Sequence, residues 1–244
     1  MKALVVGGSS GIGLSIVLNL CEREDVEKVY VLDKAVYPEK YANDKVTFLQ
    51  CDLSHSDLSV LNPIADIRAL YITAGFGHLK FFQDLSEAYI QDSFTVNAVA
   101  PIRVIRHFYD SMLSRDDFYC AVMVSIAGRI NTPLFSVYSA TKASLSKFIE
   151  AVNVELDVQG SANRILEVSP GSLQGTGFTG GVSHPEQTAA LAKEIIERAM
   201  HRETLFIPQY DEVFKDVIAR YEADAHGFGV DSYWYKKKQG RFCP

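Results

Sequence analysis

The chain begins with a short apolar run that stops at a glycine-rich turn and continues in a helical pattern. Residues 3–6 (ALVV) are typical of a strand buried on both faces, and GGSSGIG follows at 7–13. Apolar spacing from Leu14 onward predicts a helix. Such a turn directs free backbone N–H groups and the helix dipole at one point, where a phosphate binds well. The stretch therefore predicts a dinucleotide site formed by Gly7, Ser9, Ser10, Gly11, Ile12 and Gly13.

Three glycines of this turn have separate expected roles. Gly7 permits the tight turn, Gly11 lets a pyrophosphate approach the backbone, and Gly13 lets the helix pack closely on the strand. The spacing is G-x-x-x-G-x-G and not the common G-x-G-x-x-G, so the motif alone also fits an ordinary strand–turn–helix.

An acidic residue ends the second predicted strand, Lys28–Asp33. Asp33 lies 20 residues beyond Gly13, where a carboxylate accepts hydrogen bonds from the ribose hydroxyls of a dinucleotide. The same charge repels a 2′-phosphate, so NAD is the expected cofactor and NADP a possible one. A solvated turn aspartate is the alternative, and the neighbouring Lys34 weakens the electrostatic argument.

Apolar runs and helical patterns alternate along the rest of the chain. Further strands are expected at 46–49, 69–73, 121–125, 164–168 and 204–207, and helices at 86–113, 138–158, 185–201 and 210–225. This alternation predicts an α/β fold, a doubly wound parallel sheet of about seven strands flanked by helices and therefore Rossmann-like. At 244 residues the chain is expected to be a single domain, with 209–244 as a C-terminal helix and tail extension.

Small and polar residues follow the predicted strands at the edge where a ligand would bind. Asp52 and Leu53 follow the third strand, near an adenine, and Ala74 and Gly75 follow the fourth, where a ligand can lie against the backbone. The residues that follow the later strands are expected at the same edge. They are Ser125 after the fifth strand, Pro170 and Gly171 after the sixth, and a glycine-rich lid at 171–181 that contains Thr176.

Two helical positions carry further chemistry. Tyr138 and Lys142 are spaced i and i+4, so they lie on one helix face within reach of a common ligand. Pro101 has no N–H, so the carbonyl of Asn97 loses its intrahelical partner and needs water or another donor. An ordinary kink in a packed helix is the alternative.

These motifs, in this order, resemble the short-chain dehydrogenase/reductase family over about residues 2–180. The resemblance implies an NAD(P)-dependent oxidoreductase that interconverts a secondary alcohol and a carbonyl. It implies Tyr138 as general acid/base and Lys142 as the residue that lowers the tyrosine pKa and holds the nicotinamide ribose. It also implies that Ser125 binds the substrate oxygen and that the carbonyl of Asn97 holds a water of a proton relay.

Three positions depart from the family pattern. Val6 stands where a threonine is usual and Thr73 where an asparagine is usual, so one brace of the turn and one near the fourth strand are expected to be lost. Thr176 comes one residue later than the threonine expected to meet the nicotinamide amide. None of the three touches the Ser125–Tyr138–Lys142 set.

Composition excludes several classes of function. The net charge is −6 and there is no basic arm, which disfavours nucleic acid and anionic membranes as partners. The apolar runs are too short to span a bilayer, and no signal peptide is expected before the first strand. Scattered cysteines without C-x-x-C spacing indicate free thiols and a cytoplasmic protein. The histidines do not cluster, so a metal site is not expected.

Substrate and assembly are less constrained. The expected pocket walls, which suggest a mid-sized apolar alcohol or ketone, are Phe76, His78, Phe81, Ile126, Arg129, Phe135, Leu173 and Phe178. Arg129 either binds an acidic substrate group or forms a structural salt bridge. Broad apolar faces on the helices at 86–113 and 138–158 predict a homodimer or homotetramer, unless the C-terminal segment covers them. The tail aromatics reach either a neighbouring subunit or the chain's own sheet edge.

Two other functions stay open. A cofactor sensor on the same fold would not need the proton-transfer set. An epimerase or dehydratase on a related fold would normally carry a larger C-terminal substrate domain.

Overall fold

The computed structural model describes residues 1–55, 57–179 and 182–239. Over these residues, seven strands form one parallel sheet in the order β3-β2-β1-β4-β5-β6-β7. The strands are β1 Lys2–Val6, β2 Lys28–Asp33, β3 Val46–Gln50, β4 Ile67–Ile72, β5 Tyr119–Met123, β6 Arg164–Val168 and β7 Leu205–Phe206. The predicted fold class is therefore confirmed.

Helices cover both faces of the sheet. They are α1 Gly11–Glu22, α2 Glu87–Phe94, α3 Ala100–His107, α4 Tyr109–Leu113, α5 Ser136–Val158, α6 Pro185–Met200, α7 Lys215–Ala223 and α8 Ala225–Lys238. Alternate residues of β1 enter opposite cores, because side chains of a strand point to opposite faces. Ala3 and Val5 pack with α1 and α6, and Leu4 and Val6 pack with α3 and α5.

The strand order reverses between β1 and β4, and this switch point positions the site. Neighbours of β1 lie on either side, β2 in one direction and β4 in the other. The connections after β1 and β4 leave in opposite directions and open a crevice at the carboxyl edge, where ligands of such sheets bind. The glycine turn and the residues after β4 meet there.

The expected single helix over 86–113 is wrong in detail. A π-helical segment, Thr95–Val99, joins α2 to α3, and Pro101 occupies the first turn of α3. Proline lacks the N–H of the regular ladder and its ring clashes with the preceding turn, so the wider π turn accommodates it. The chain breaks again at Phe108, between α3 and α4.

The C-terminal segment folds onto its own chain. A π-helical segment, Tyr210–Phe214, leads into α7, and most of the residues expected as a tail form α8. Lys236 Nζ donates to the Pro133 carbonyl over 2.9 Å, and Tyr233 contacts Phe81. The helix therefore covers loops beyond β4 and β5, whereas Trp234 and Tyr235 remain 59% and 58% exposed. Among the described helices, none is long and apolar enough to cross a bilayer.

Candidate active site

The glycine turn is too crowded for side chains at two positions. A Cβ on Gly7, whose φ is +86°, would lie 2.5 Å from the Ala74 nitrogen. A Cβ on Gly13 would lie 2.0 Å from the Gly7 carbonyl oxygen. Glycine is therefore required where the turn passes the end of β4 and where α1 packs back on the turn.

The expected loss of a brace at Thr73 is wrong. Its hydroxyl is within hydrogen-bonding distance of two carbonyl oxygens, 3.0 Å from that of Val6 and 3.1 Å from that of Gly7. Thr73 thus ties β4 to the glycine turn from the neighbouring strand. Sequence spacing could not reveal this contact, because the partners are more than 60 residues apart.

The backbone amide at the start of α1 points at a side-chain hydroxyl oxygen. Gly11 N donates to the Ser183 hydroxyl over 2.7 Å, whereas the side chain of Ser10 caps nothing at this helix end. Thr176 lies over the same point, its Cβ 3.6 Å from where a Gly11 Cβ would be. An amide aimed at an oxygen suits a phosphate oxygen equally well, so the turn fits a dinucleotide pyrophosphate. Sequence reasoning missed Ser183, for which no local signal exists.

Asp33 connects β2 to the glycine turn. One carboxylate oxygen accepts from the Ser9 amide and the other from the Ala35 amide, each over 3.0 Å. Ser9 is buried, and its hydroxyl donates to the Ala35 carbonyl. The negative charge therefore lies beside the turn, at the position expected for a ribose.

Other predicted cofactor residues occupy different environments. Asp52 is exposed, and hydrogen bonds from Ser54 lower the pKa of its carboxyl. Leu53 and Ile12 are buried in the cores of opposite sheet faces.

Ser125, Tyr138 and Lys142 lie together beyond β5. Ser125 starts a tight turn, where its Oγ accepts from the Ala127 amide over 3.1 Å. Burial raises the pKa of Tyr138 to about 12, and the influence of the Ser125 side chain opposes this rise. Burial lowers the pKa of Lys142 to about 8, and its Nζ donates to the Met123 carbonyl over 2.8 Å. Lys142 Nζ is 5.7 Å from the centroid of the Tyr138 ring.

The Asn97 side chain holds the loop after β4. Its Oδ1 accepts from the Phe76 amide over 2.9 Å, and its Nδ2 donates to the Phe76 carbonyl over 2.8 Å. The same Nδ2 is 3.3 Å from the Thr141 hydroxyl of α5. A Cβ on Gly75 would lie 3.1 Å from Asn97 Oδ1 and 3.3 Å from Lys142 Nζ, so these three residues are contiguous.

The turn after β6 closes the site on the other side. The Pro170 carbonyl accepts from the Ile126 amide over 2.9 Å. A Cβ on Gly171 would lie 2.4 Å from the Phe214 ring, so this C-terminal phenylalanine packs directly on the turn. Sequence reasoning missed Phe214. Of the predicted lid at 171–181, residues 180 and 181 lie outside the described residues.

The pocket walls divide into aromatic groups and one ion pair. Phe135 stacks on Tyr138, and Phe178 contacts both rings. Arg129 forms the structural alternative, a salt bridge of 2.8 Å to Glu167, whose side chain is 2% exposed. No cluster of potential metal ligands occurs in the described part of the chain.

Comparison with known proteins decides the family. A family model described as short chain dehydrogenase matches residues 1–187. The chain belongs to the short-chain dehydrogenase family. Among curated relatives, a ketoacyl reductase of a Nostoc species is 30% identical over 215 residues, which cover 79% of this chain and 74% of that protein.

Solved structures share the fold of this short-chain dehydrogenase. A family member from Burkholderia phymatum in complex with NAD superposes with a TM-score of 0.77 at 17% identity, covering 91% of this chain and 93% of that one. An alcohol dehydrogenase from Thermococcus sibiricus, complexed with 5-hydroxy-NADP, superposes with a TM-score of 0.71 at 22% identity, covering 84% and 94%.

Proposed function

We propose that this short-chain dehydrogenase interconverts a secondary alcohol and a carbonyl by hydride transfer, with Tyr138 as general acid/base. The observation that carries the proposal is the pairing of the buried Tyr138 and Lys142 on one face of α5, where Lys142 Nζ lies 5.7 Å from the centroid of the Tyr138 ring. Family membership supports the reaction class. The substrate is a mid-sized, mostly apolar alcohol or ketone, because aromatic side chains surround Tyr138.

A nicotinamide dinucleotide fits the crevice at the switch point. The Gly11 amide would bind its pyrophosphate, Asp33 a ribose and Lys142 the nicotinamide ribose. Asp52, Leu53, Ala74, Gly75, Pro170, Gly171 and Thr176 would contribute the rest of the binding surface. When bound, the dinucleotide supplies or accepts the hydride. NAD is the preferred form because the charge of Asp33 repels a 2′-phosphate.

The side chains of the site handle the proton. At neutral pH Tyr138 holds its phenolic proton, because burial keeps its pKa high. It therefore donates that proton to the oxygen of a carbonyl that is being reduced. Ser125 positions the same oxygen and stabilises its developing charge. The main-chain carbonyl of Asn97 holds a water that connects Lys142 to solvent.

Tyr138→Phe tests this assignment. The variant keeps the ring packing and removes the transferable proton, so turnover of a carbonyl panel with NADH falls by about 10²–10⁴-fold. NADH still binds, as measured by its fluorescence. Tyr119→Phe is the matched control, because its hydroxyl contacts Asp117 at the start of β5 and lies outside the site. Near-native turnover in Tyr138→Phe refutes the mechanism. If the unmodified protein reduces no carbonyl of the panel, the result favours a cofactor sensor over an enzyme.

The chain as a whole is proposed to be one domain, residues 1–244, that assembles as a homodimer or homotetramer. Much of the apolar surface expected to drive assembly is buried within the chain's own core, including Ile105, Leu145 and Ile149. The support therefore rests on side chains that remain exposed on α5 and near α3. Val154 is 62% exposed, Val158 82% and Val99 45%. Free thiols at Cys21, Cys51 and Cys120 support a reducing, cytoplasmic location.

A further inference from the structure

The proposed proton donor lies in an aromatic cage. The Phe135 ring stacks on the Tyr138 ring, with centroids 4.3 Å apart and planes at 29°. Phe178 covers the cage at 5.3 Å from Tyr138 and 6.2 Å from Phe135. Gly77 forms a further wall, since a Cβ there would lie 2.7 Å from the Tyr138 ring and 2.8 Å from the Phe135 ring.

Phe135 is a fixed platform. It follows Leu134, whose φ of +66° is a left-handed conformation that is costly for a branched side chain. The Leu134 carbonyl accepts from the Lys80 amide over 2.9 Å, and the Phe135 carbonyl accepts from the Ser139 amide of α5. Strain of this kind persists only where the surroundings impose it, and it clusters at functional sites.

Phe178 is held differently from the other members of the cage. It lies on a short turn, Gly177–Thr179, between β6 and α6, and a Cβ on Gly177 would meet nothing within 4 Å. Tyr138 is only 6% exposed, so a substrate oxygen needs space beside its hydroxyl. The Phe178 ring occupies the space beside the Phe135 and Tyr138 rings, so a ligand that stacks on those two rings has to take its place.

The cage favours a neutral ligand. Arg129, the cation among the predicted wall residues, is paired with Glu167 and is not available to hold a carboxylate. The members of the cage itself, Phe135, Tyr138 and Phe178, offer a ligand ring faces and edges.

We propose that the substrate carries an aromatic ring that takes the place of Phe178 on the Phe135–Tyr138 platform, so that the enzyme prefers aryl ketones and aryl carbinols. This rests on the proposed function. In the reducing direction, a bound reduced dinucleotide would supply the hydride for the new C–H bond at the carbonyl carbon and would itself be oxidised. The electron pair of the C=O π bond would take the Tyr138 proton at oxygen, so that the phenolic O–H bond breaks and Tyr138 is left as a phenolate, which solvent reprotonates.

A matched pair of ketones tests the proposal. Acetophenone and cyclohexyl methyl ketone have the same carbon count and the same reacting group, and differ in the planar π system. Each aromatic pair favours a planar ring about 2- to 10-fold, so we expect kcat/KM with NADH to favour acetophenone by at least about 5-fold. Phe135→Leu should bring the ratio close to one without changing the Kd for NADH. Phe82→Leu, at a side chain 67% exposed, should leave the ratio unchanged.

Binding measurements separate this proposal from the reaction itself. Tyr138→Phe retains the ring, so saturation-transfer NMR of this variant with NADH should detect acetophenone in preference to the cyclohexyl ketone. Phe178→Ala should lower the Kd of acetophenone, because no ring has to be displaced. Equal or weaker binding of acetophenone overturns the aromatic site, even if other carbonyls are reduced. Preferential binding without turnover of any carbonyl supports the aromatic site and contradicts the proposed reaction.

Discussion

Removal of the Thr73 hydroxyl should loosen the glycine turn. Thr73→Val keeps the side-chain shape but removes the O–H that lies between the Val6 and Gly7 carbonyl oxygens, at 3.0 and 3.1 Å. The lost hydrogen bond costs about 1 kcal/mol. A second contribution comes from crowding, because the Thr73 hydroxyl oxygen lies only 2.4 Å from where a Gly13 Cβ would be. A methyl group is larger than this oxygen, and overpacking of a tight contact adds about 1 kcal/mol or more.

We therefore expect Thr73→Val to lower the free energy of unfolding by about 2 kcal/mol. The Kd for NADH should rise by up to about 30-fold if the turn is disordered in the folded protein. Urea denaturation measures the first quantity and NADH fluorescence the second. Thr73→Ser keeps the hydroxyl and is the control that should retain NADH binding. A Thr73→Val variant with the native Kd and native stability refutes the reasoning, as does a loss of NADH binding that is equal in Thr73→Ser.

Three further predictions concern charge and assembly. Asp33→Ala should narrow the difference between the Kd values for NADH and NADPH, and equal values in the native protein contradict the proposed preference. The Lys142 pKa is about 8 in the folded chain against 10.5 in a free lysine, so the unfolded state binds more protons in between. The free energy of unfolding should thus rise between pH 8 and 10 because of Lys142. Denaturation of Lys142→Met across the same pH window should not show this rise. Light scattering should give a multiple of 27.1 kDa, with Val154→Glu shifting the mass towards one chain, and a native mass of one chain contradicts assembly through α5.

Local sequence determined the fold class and predicted much of the candidate site. A glycine turn directly after β1 predicts an N–H cradle because both parts are consecutive in the chain. Tyr138 and Lys142 could be paired because helical spacing places i and i+4 on one face. The expected salt bridge of Arg129 could be weighed against a ligand role, but its partner Glu167 could not be identified.

The tertiary structure decided what depends on distant segments. Thr73 braces the turn because β1 and β4 are neighbours in the sheet, and Ser183 meets Gly11 across 172 positions. Phe214 packs on Gly171 because the C-terminal segment returns to the site. Sequence periodicity reports which face of one element is apolar, whereas these contacts depend on how elements pack against each other. The fold was therefore predictable from the sequence, and the contacts that Thr73, Ser183 and Phe214 make at the candidate site were not.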